Sequence, residues 1–322
     1  MRILFFGLNY HGYTLNIIDE MCAVGGNVTY VDIQPRSFLF KGLRTAGRSF
    51  YDRYLDVHHA SAISKSKSTA YDKVVFLQAH QISVENLSKL RDVQPKAEFT
   101  LYNWDSLSNH NYQPQAKVFD RVLTFDPVDA RENGFGYLPL FCSRFMQGLR
   151  RDRVEPASLF MVGNIVKPAR YVAVESFRSY CADRRLKFKQ HLKVSPVVWF
   201  NLTRRGLLPR DVSFRSIGKA AFCDMIETSS AAFDFANHTQ SGQTMRMMEN
   251  LCLGKKIVTS NAWVRQEPFY SPDRIHVFDG LDFSGVADFL NGDLVDKDAD
   301  FSEYHIQSFV RQLLGLSPLV SQ

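Results

Sequence analysis

The sequence predicts an α/β protein built from two doubly wound domains, and three observations carry that expectation. Apolar runs rich in Val, Ile and Phe alternate with longer amphipathic stretches, the pattern of a parallel sheet flanked by helices. The alternation occurs twice, once on either side of a charged segment running from Gln147 to Ala157. Finally, 322 residues, 45% hydrophobic and 22% charged, suit a folded chain with two cores rather than one. Two such domains are expected to face a cleft, with ligands held by the loops at the carboxyl ends of both sheets.

In the first domain, taken as residues 1–150, strands are expected at Arg2 to Phe6, Asn27 to Val31, Lys73 to Leu77, Phe99 to Tyr102 and Arg121 to Phe125. Tyr13 to Ala23 reads as a helix with Leu15, Ile18, Met21 and Cys22 on one face. The second domain, residues 151–300, opens with an apolar strand from Ser158 and continues with a helix around Arg170 to Ala182 and a strand around Leu186 to Leu192. A strand at Ala231 to Ala236, a helix from about Thr244 to Leu253 and a strand at Lys256 to Thr259 follow. Residues 301–322 supply a closing amphipathic helix and tail, patterned by Phe301, Tyr304, Ile306, Phe309, Val310, Leu313 and Leu314.

Composition narrows the function classes. The five cysteines are scattered and never in a CxxC pair, which signals neither a disulfide framework nor a zinc site and fits a reducing cytoplasm. No window approaches the roughly 20 uninterrupted apolar residues of a membrane span, and the apolar start is too short for a signal peptide. A net charge of +6 suits an anionic partner, such as a nucleotide diphosphate or an anionic membrane surface met peripherally at the inner face of the cytoplasmic membrane. The basic segments Arg144 to Arg153 and Arg184 to Lys193 lack the interleaved aromatics of a single-strand-binding surface, so nucleic acid is not expected. A solvated basic face explains either cluster equally well.

The most informative stretch runs from His238 to Asn261. It follows an apolar strand, so Thr239 to Gln243 form a loop and Thr244 caps the helix that begins there. Gly242 lets backbone approach a phosphate, and the free amides of the helix start attract anions. Arg246 in the first turn and Glu249 three residues later offer a guanidinium for phosphate and a carboxylate for a ribose diol. Gly254 ends the helix. The plain alternative is a core helix with surface charges.

The pattern Ser241-Gly-x-Thr-x-Arg-x-x-Glu-x-Leu-x-x-Gly-Lys-Lys-x-Val-Thr-x-Asn261 resembles the donor-site segment of GT-B glycosyltransferases, in particular the CgeB-like enzymes of bacterial capsule and lipopolysaccharide biosynthesis. Tyr102 to Ser108, Phe119 to Ala130 and Tyr137 to Phe141 are similar to later strand–loop units of the same group. The resemblance implies two Rossmann-like domains, an N-terminal one for the acceptor and a C-terminal one for a nucleotide sugar, with Glu249 on the ribose. Many retaining relatives carry a second glutamate eight positions upstream, where this chain has Ser241, so the resemblance points to inversion.

An inverting transferase needs a base for the acceptor hydroxyl. Asp105, just beyond a strand, is the first choice, against the alternative of a turn aspartate; His11 in the first strand–helix loop could act as base or hold the acceptor, or equally be an exposed polar loop histidine. Asp126 and Asp129 come after these, because Asp126 precedes Pro127 and serves equally to start a helix. Asn103, Trp104 and His80 are assigned to the acceptor. Gly163 permits a tight turn after its strand, and Lys167 or Arg170 would neutralise the leaving pyrophosphate, or else be solvated. No DxD pattern argues for a metal, and no cofactor beyond the nucleotide-sugar co-substrate is implied. Two further readings stay open: a nucleotide-sugar 2-epimerase on the same scaffold, and a non-catalytic two-domain ligand-binding protein.

Overall fold

The computed structural model describes residues 1–8, 12–35, 48–236 and 240–317. Its first sheet has six parallel strands: β1 (Arg2–Gly7), β2 (Asn27–Asp32), β3 (Lys73–Leu77), β4 (Glu98–Asn103), β5 (Arg121–Thr124) and β6 (Gly136–Tyr137). They lie in the order β2-β1-β3-β4-β5-β6, so Ile3 of β1 aligns with Val28 on one side and Lys73 on the other. The chain therefore reverses its direction of travel between β1 and β3, the switch point at which open α/β sheets hold ligands. The helices are α1 (Tyr13–Ala23), α2 (Arg48–Ser66), α3 (Val84–Val93), α4 (Gln113–Ala116) and α5 (Pro127–Asn133).

The second sheet follows helix α6 (Arg144–Gln147). It contains β7 (Glu155–Asn164), β8 (Lys187–Lys193), β9 (Val212–Ser213), β10 (Ser229–Asp234), β11 (Lys256–Thr259) and β12 (Ile275–Val277), in the order β12-β11-β10-β7-β8-β9. Here the switch point lies between β7 and β10. Helices α7 (Pro168–Asp183), α8 (Pro196–Arg204), α9 (Lys219–Glu227), α10 (Met245–Cys252) and α11 (Val286–Asn291) connect the strands. The core forms where α7 lays Tyr171, Val174, Phe177 and Cys181 on the sheet, the Phe177 ring stacking on Phe233 with centroids 4.0 Å apart. Burying one such ring stabilises by about 2 kcal/mol.

Packing gathers Met1–Ser143, Thr239–Gly242 and Glu303–Gln322 into unit 1, and Arg144–His238 with Gln243–Ser302 into unit 2. The division thus falls at Arg144, some residues before the boundary expected at 150, because α6 belongs with the second sheet. The closing helix α12 (Ile306–Leu313) buries Ile306, Phe309, Val310 and Leu313 in unit 1. Arg121 donates to the carbonyls of Gln312 and Leu313 at its end, where orphan acceptors need partners.

One sequence expectation is corrected. In α1 the buried face is Thr14, Ile17, Glu20 and Met21, while Leu15 is 54% exposed and Cys22 exposed. The Thr14 hydroxyl donates to the Leu8 carbonyl and turns its own face toward the sheet, one position off the apolar stripe. Helices α2, α3, α4, α6, α8, α9 and α11 and strands β6, β9 and β12 lie outside the expected ranges.

Candidate functional site

In unit 2, helices of eight residues or more follow the carboxyl ends of four parallel strands: α7 after β7, α8 after β8, α9 after β9 and α10 after β10. Their first amides lack helical partners and attract anions at this edge of the sheet. Ser195 caps α8 by accepting from the Val198 amide, and Thr244 caps α10 by accepting from the Met247 amide at 3.1 Å. At the far end of α10, Gly254 takes a left-handed φ of 70° and closes the helix with Lys255 N–H donating to the Asn250 carbonyl.

The switch point between β7 and β10 is bridged by two arginines. Arg246 donates from Nη1 to Asp234, at the end of β10, at 2.8 Å and from Nη2 to the Val162 carbonyl of β7 at 2.6 Å. Arg170 donates to the carbonyls of Asn164, the last residue of β7, and Phe235, just past β10. Asp234, fully buried, also accepts from the hydroxyls of Thr244 and Thr259 at 2.9 and 3.2 Å. It is the hub of this edge, and sequence reasoning missed it, reading it only as part of an apolar strand. Its one signal was a charge inside Ala-Ala-Phe-Asp-Phe-Ala.

These contacts revise several donor-site expectations. The Arg246 guanidinium is held by a carboxylate and a carbonyl, so its charge is largely answered within the protein. Glu249 is buried in α10 rather than displayed beside Arg246. Gly163 serves that arginine, since a Cβ there would come within 2.9 Å of Nη2. Lys167 is exposed at the start of α7, where a cation can meet an anion held by the helix amides.

In unit 1 the loops past β3, β4 and β5 carry acids and amides. Asp105, in the bend after β4, accepts from the Gln78 amide at 2.7 Å and from the Gln240 amide at 3.2 Å. Gln78 itself holds a φ of 72°, a left-handed conformation that costs a non-glycine residue of order 1 kcal/mol. That backbone kink at the end of β3 accompanies its contact with Asp105. Asn103 is fully buried and donates to the Asp105 carbonyl, so it shapes the loop and is corrected from an acceptor contact to a supporting residue. Trp104 is half-buried in the same bend. His11 lies outside the described residues.

Asp126 caps α5, accepting from the amides of Val128 and Asp129 at 3.0 and 3.2 Å. Its carboxylate also takes the Ser241 amide at 2.9 Å, the Ser241 hydroxyl and the Gly242 amide at 3.4 Å. Gly242 is required by this approach: a Cβ would lie 2.4 Å from the Phe125 ring. The expected reason for Gly242, room for a phosphate, is thereby replaced by room for Phe125. Asp129 accepts from the Leu107 amide, and burial raises its pKa. His80 stacks on His110 with centroids 4.0 Å apart and planes 3° from parallel. Burial, assisted by the neighbouring ring, pushes the His80 pKa down to about 4, so it is neutral at pH 7.

No family model matches the chain, and no curated protein sequence does either. Solved structures match along nearly its whole length. AviGT4, a glycosyltransferase involved in avilamycin A biosynthesis, superposes with a TM-score of 0.62 at 12% identity, covering 98% of this chain and 96% of its own. An α,α-trehalose-phosphate synthase (UDP-forming) from Burkholderia vietnamiensis gives 0.57 at 12% identity, over 98% and 95%. The lipopolysaccharide outer core galactosyltransferase WaaB, in its apo form, gives 0.50 at 15% identity, over 97% and 95%. The two parallel six-stranded sheets thus define an α/β protein of Rossmann-like units, and these neighbours identify its fold as GT-B. At such identities the likeness is one of fold.

Proposed function

We propose that this protein is a glycosyltransferase moving a sugar from a nucleotide-sugar donor to a glycan or lipid-linked acceptor of bacterial surface polysaccharide or lipopolysaccharide. The observation that carries the reading is the row of helix starts at the carboxyl edge of the unit 2 sheet, on a fold shared along its length with glycosyltransferases. The diphosphate of the donor meets the amides opening α7 and α10 and the exposed Lys167, and Arg170 adds positive charge at the switch point. Thr244 holds α10 in place through its cap and its bond to Asp234.

The acceptor is taken by unit 1. Asp105 accepts the proton of the acceptor hydroxyl as oxygen attacks the anomeric carbon and the nucleotide diphosphate departs. Gln78 and Gln240 aim its carboxylate, and Trp104 and the neutral His80 belong to the same group of loops. Inversion without a metal follows from one carboxylate base combined with amides and cations on the leaving group. Ser241, in place of a glutamate, ties its hydroxyl to Asp126.

A thermal-shift screen against UDP-, GDP-, CMP- and dTDP-sugars tests the reading, because a ligand preferring the folded state raises the melting point. One nucleotide class should stand out, and silence from all four would sink the proposal. A second reading is favoured by one neighbour, a putative UDP-N-acetylglucosamine 2-epimerase from Listeria monocytogenes with a TM-score of 0.52. Product analysis separates the two: a transferase releases free nucleotide only with an acceptor present, and the anomeric configuration of its product reports inversion.

A further inference from the structure

The basic segments of the chain divide into two kinds. Around the start of β7 the cations are answered by acids: Arg150 pairs with Asp152, Arg153 with Asp224 and Glu227, and Lys187 and Lys189 with Glu155. Residues 193–219, from the end of β8 through α8 and edge strand β9, are different. They contain six basic side chains, Lys193, Arg204, Arg205, Arg210, Arg215 and Lys219, and one acid, Asp211. Asp211 is itself engaged by Arg178. A net +5 over this stretch nearly equals the +6 of the whole chain.

The same segment exposes large apolar side chains. Val197 is 69% exposed, Phe200 56%, Leu208 65% and Phe214 55%, with Trp199 at 38%. Helix α8 turns Val198 and Leu202 toward the core, which places Val197, Phe200 and Arg204 together on its outer face. The Arg204 guanidinium lies 5.9 Å from the Phe200 ring. The segment is a built surface and not a loose loop. Val194 donates to the Ser213 carbonyl, Tyr171 bonds the backbone of Leu208 and Arg210, and Lys193 donates to Ser216.

We propose that this edge of unit 2 docks on the surface of an anionic phospholipid membrane, with Val197, Trp199 and Phe200 entering the headgroup layer and the arginines neutralising lipid phosphates. Charge complementarity selects that occupant. Exposed aromatics ringed by uncompensated cations match an interface that is apolar below and negative above. Neither donor nor acceptor is needed for docking, so the inference stands or falls apart from the transfer reading.

The test is cosedimentation of the full chain with vesicles of phosphatidylcholine alone and of phosphatidylcholine with one third phosphatidylglycerol. Binding should appear only with the anionic vesicles, weaken with salt and shift tryptophan emission to the blue, the shift vanishing in Trp199→Phe. Each arginine near the surface should contribute on the order of fivefold in affinity. Changing Arg204, Arg205, Arg210 and Arg215 together to glutamine should therefore abolish sedimentation, and Phe200→Ser with Phe214→Ser should weaken it at least tenfold. These residues are exposed, so melting points should hold; if the double variant unfolds, each single serine variant replaces it. The proposal is overturned if anionic vesicles do not bind, or if both sets of variants bind unchanged. It is equally overturned if sedimentation equilibrium finds a dimer that Phe200→Ser dissolves, since a second copy would then cover the face.

Discussion

The two sheets are both parallel with one switch point each, yet their carboxyl edges differ in strand order and in chemistry. In unit 2 the segments that follow β7 and β10 carry Lys167, Arg170 and Arg246, the last paired with Asp234, at the starts of α7 and α10. In unit 1 the described loops beyond β3, β4 and β5 carry Asp105, Asp126 and Asp129, held by amides and a hydroxyl. An edge of cations and free amides suits a diphosphate, and an edge of carboxylates suits removal of a proton from a hydroxyl. The difference teaches that two open parallel sheets, each with one switch point, present opposite chemistries through the residues that follow their strands.

The sharpest way to break the comparison is to remove a buried acid of the basic edge. Asp234 is buried and answers Arg246, so Asp234→Ala leaves a half-buried guanidinium without its counter-ion. Losing one partner of such a pair costs about 3 kcal/mol, read as a lower urea midpoint. Arg246→Met combined with Asp234→Ala should recover part of that loss, and a strictly additive double variant would show that the two do not act as a pair.

Most of the fold was legible in the sequence because strand-forming runs and helical periodicity are local. β3, β11 and α1 have the expected bounds, and β7 and β10 lie within a few residues of them. The site was legible only where its signal was local too: Thr244 as a cap, Gly254 as a helix end and Asp126 as a helix start. The role of Asp234 depends on Val162, Thr244, Arg246 and Thr259, which are brought to it by strand pairing that no short window contains. Gly242 reads as a site of close approach and Gly163 as a tight turn, but what approaches them, Phe125 and Arg246, is a matter of packing. Helix α8 hid because its outer face is apolar, which erases the polar half of an amphipathic pattern.

The acidic edge is tested by Asp105→Asn. The substitution keeps the size of the side chain and removes the proposed base, so turnover should fall at least about 100-fold, the usual contribution of a general base, while the melting point changes little. The same substitution should leave the donor-induced thermal shift intact. An active Asp105→Asn enzyme would remove Asp105 from the proposed role of base.

Gly242→Ala probes the strap that Asp126 holds. An added Cβ meets Phe125 at 2.4 Å, and such overpacking costs about 1–3 kcal/mol. The effect should appear as protease sensitivity and faster amide exchange at residues 240–242. Unchanged exchange would mean that the strap is not held by that approach.

The smallest effect separates the two units by pH. Burial lowers the pKa of His80 in unit 1 to about 4 and that of Lys255 in unit 2 to about 8, where its amine donates to the Ser229 carbonyl. In both cases the folded state binds fewer protons than the unfolded chain, so stability rises with pH through each window. For His80 the window runs from about 4 to the ordinary histidine value of 6.5, and acidification should weaken unit 1. For Lys255 it runs from about 8 to 10.5, and alkaline pH should strengthen unit 2. Urea midpoints at pH 4.5, 7 and 9.5 measure both. His80→Asn should reduce the slope of the acid limb alone and Lys255→Met that of the alkaline limb alone; a variant that left its limb unchanged would show that its group does not carry that dependence.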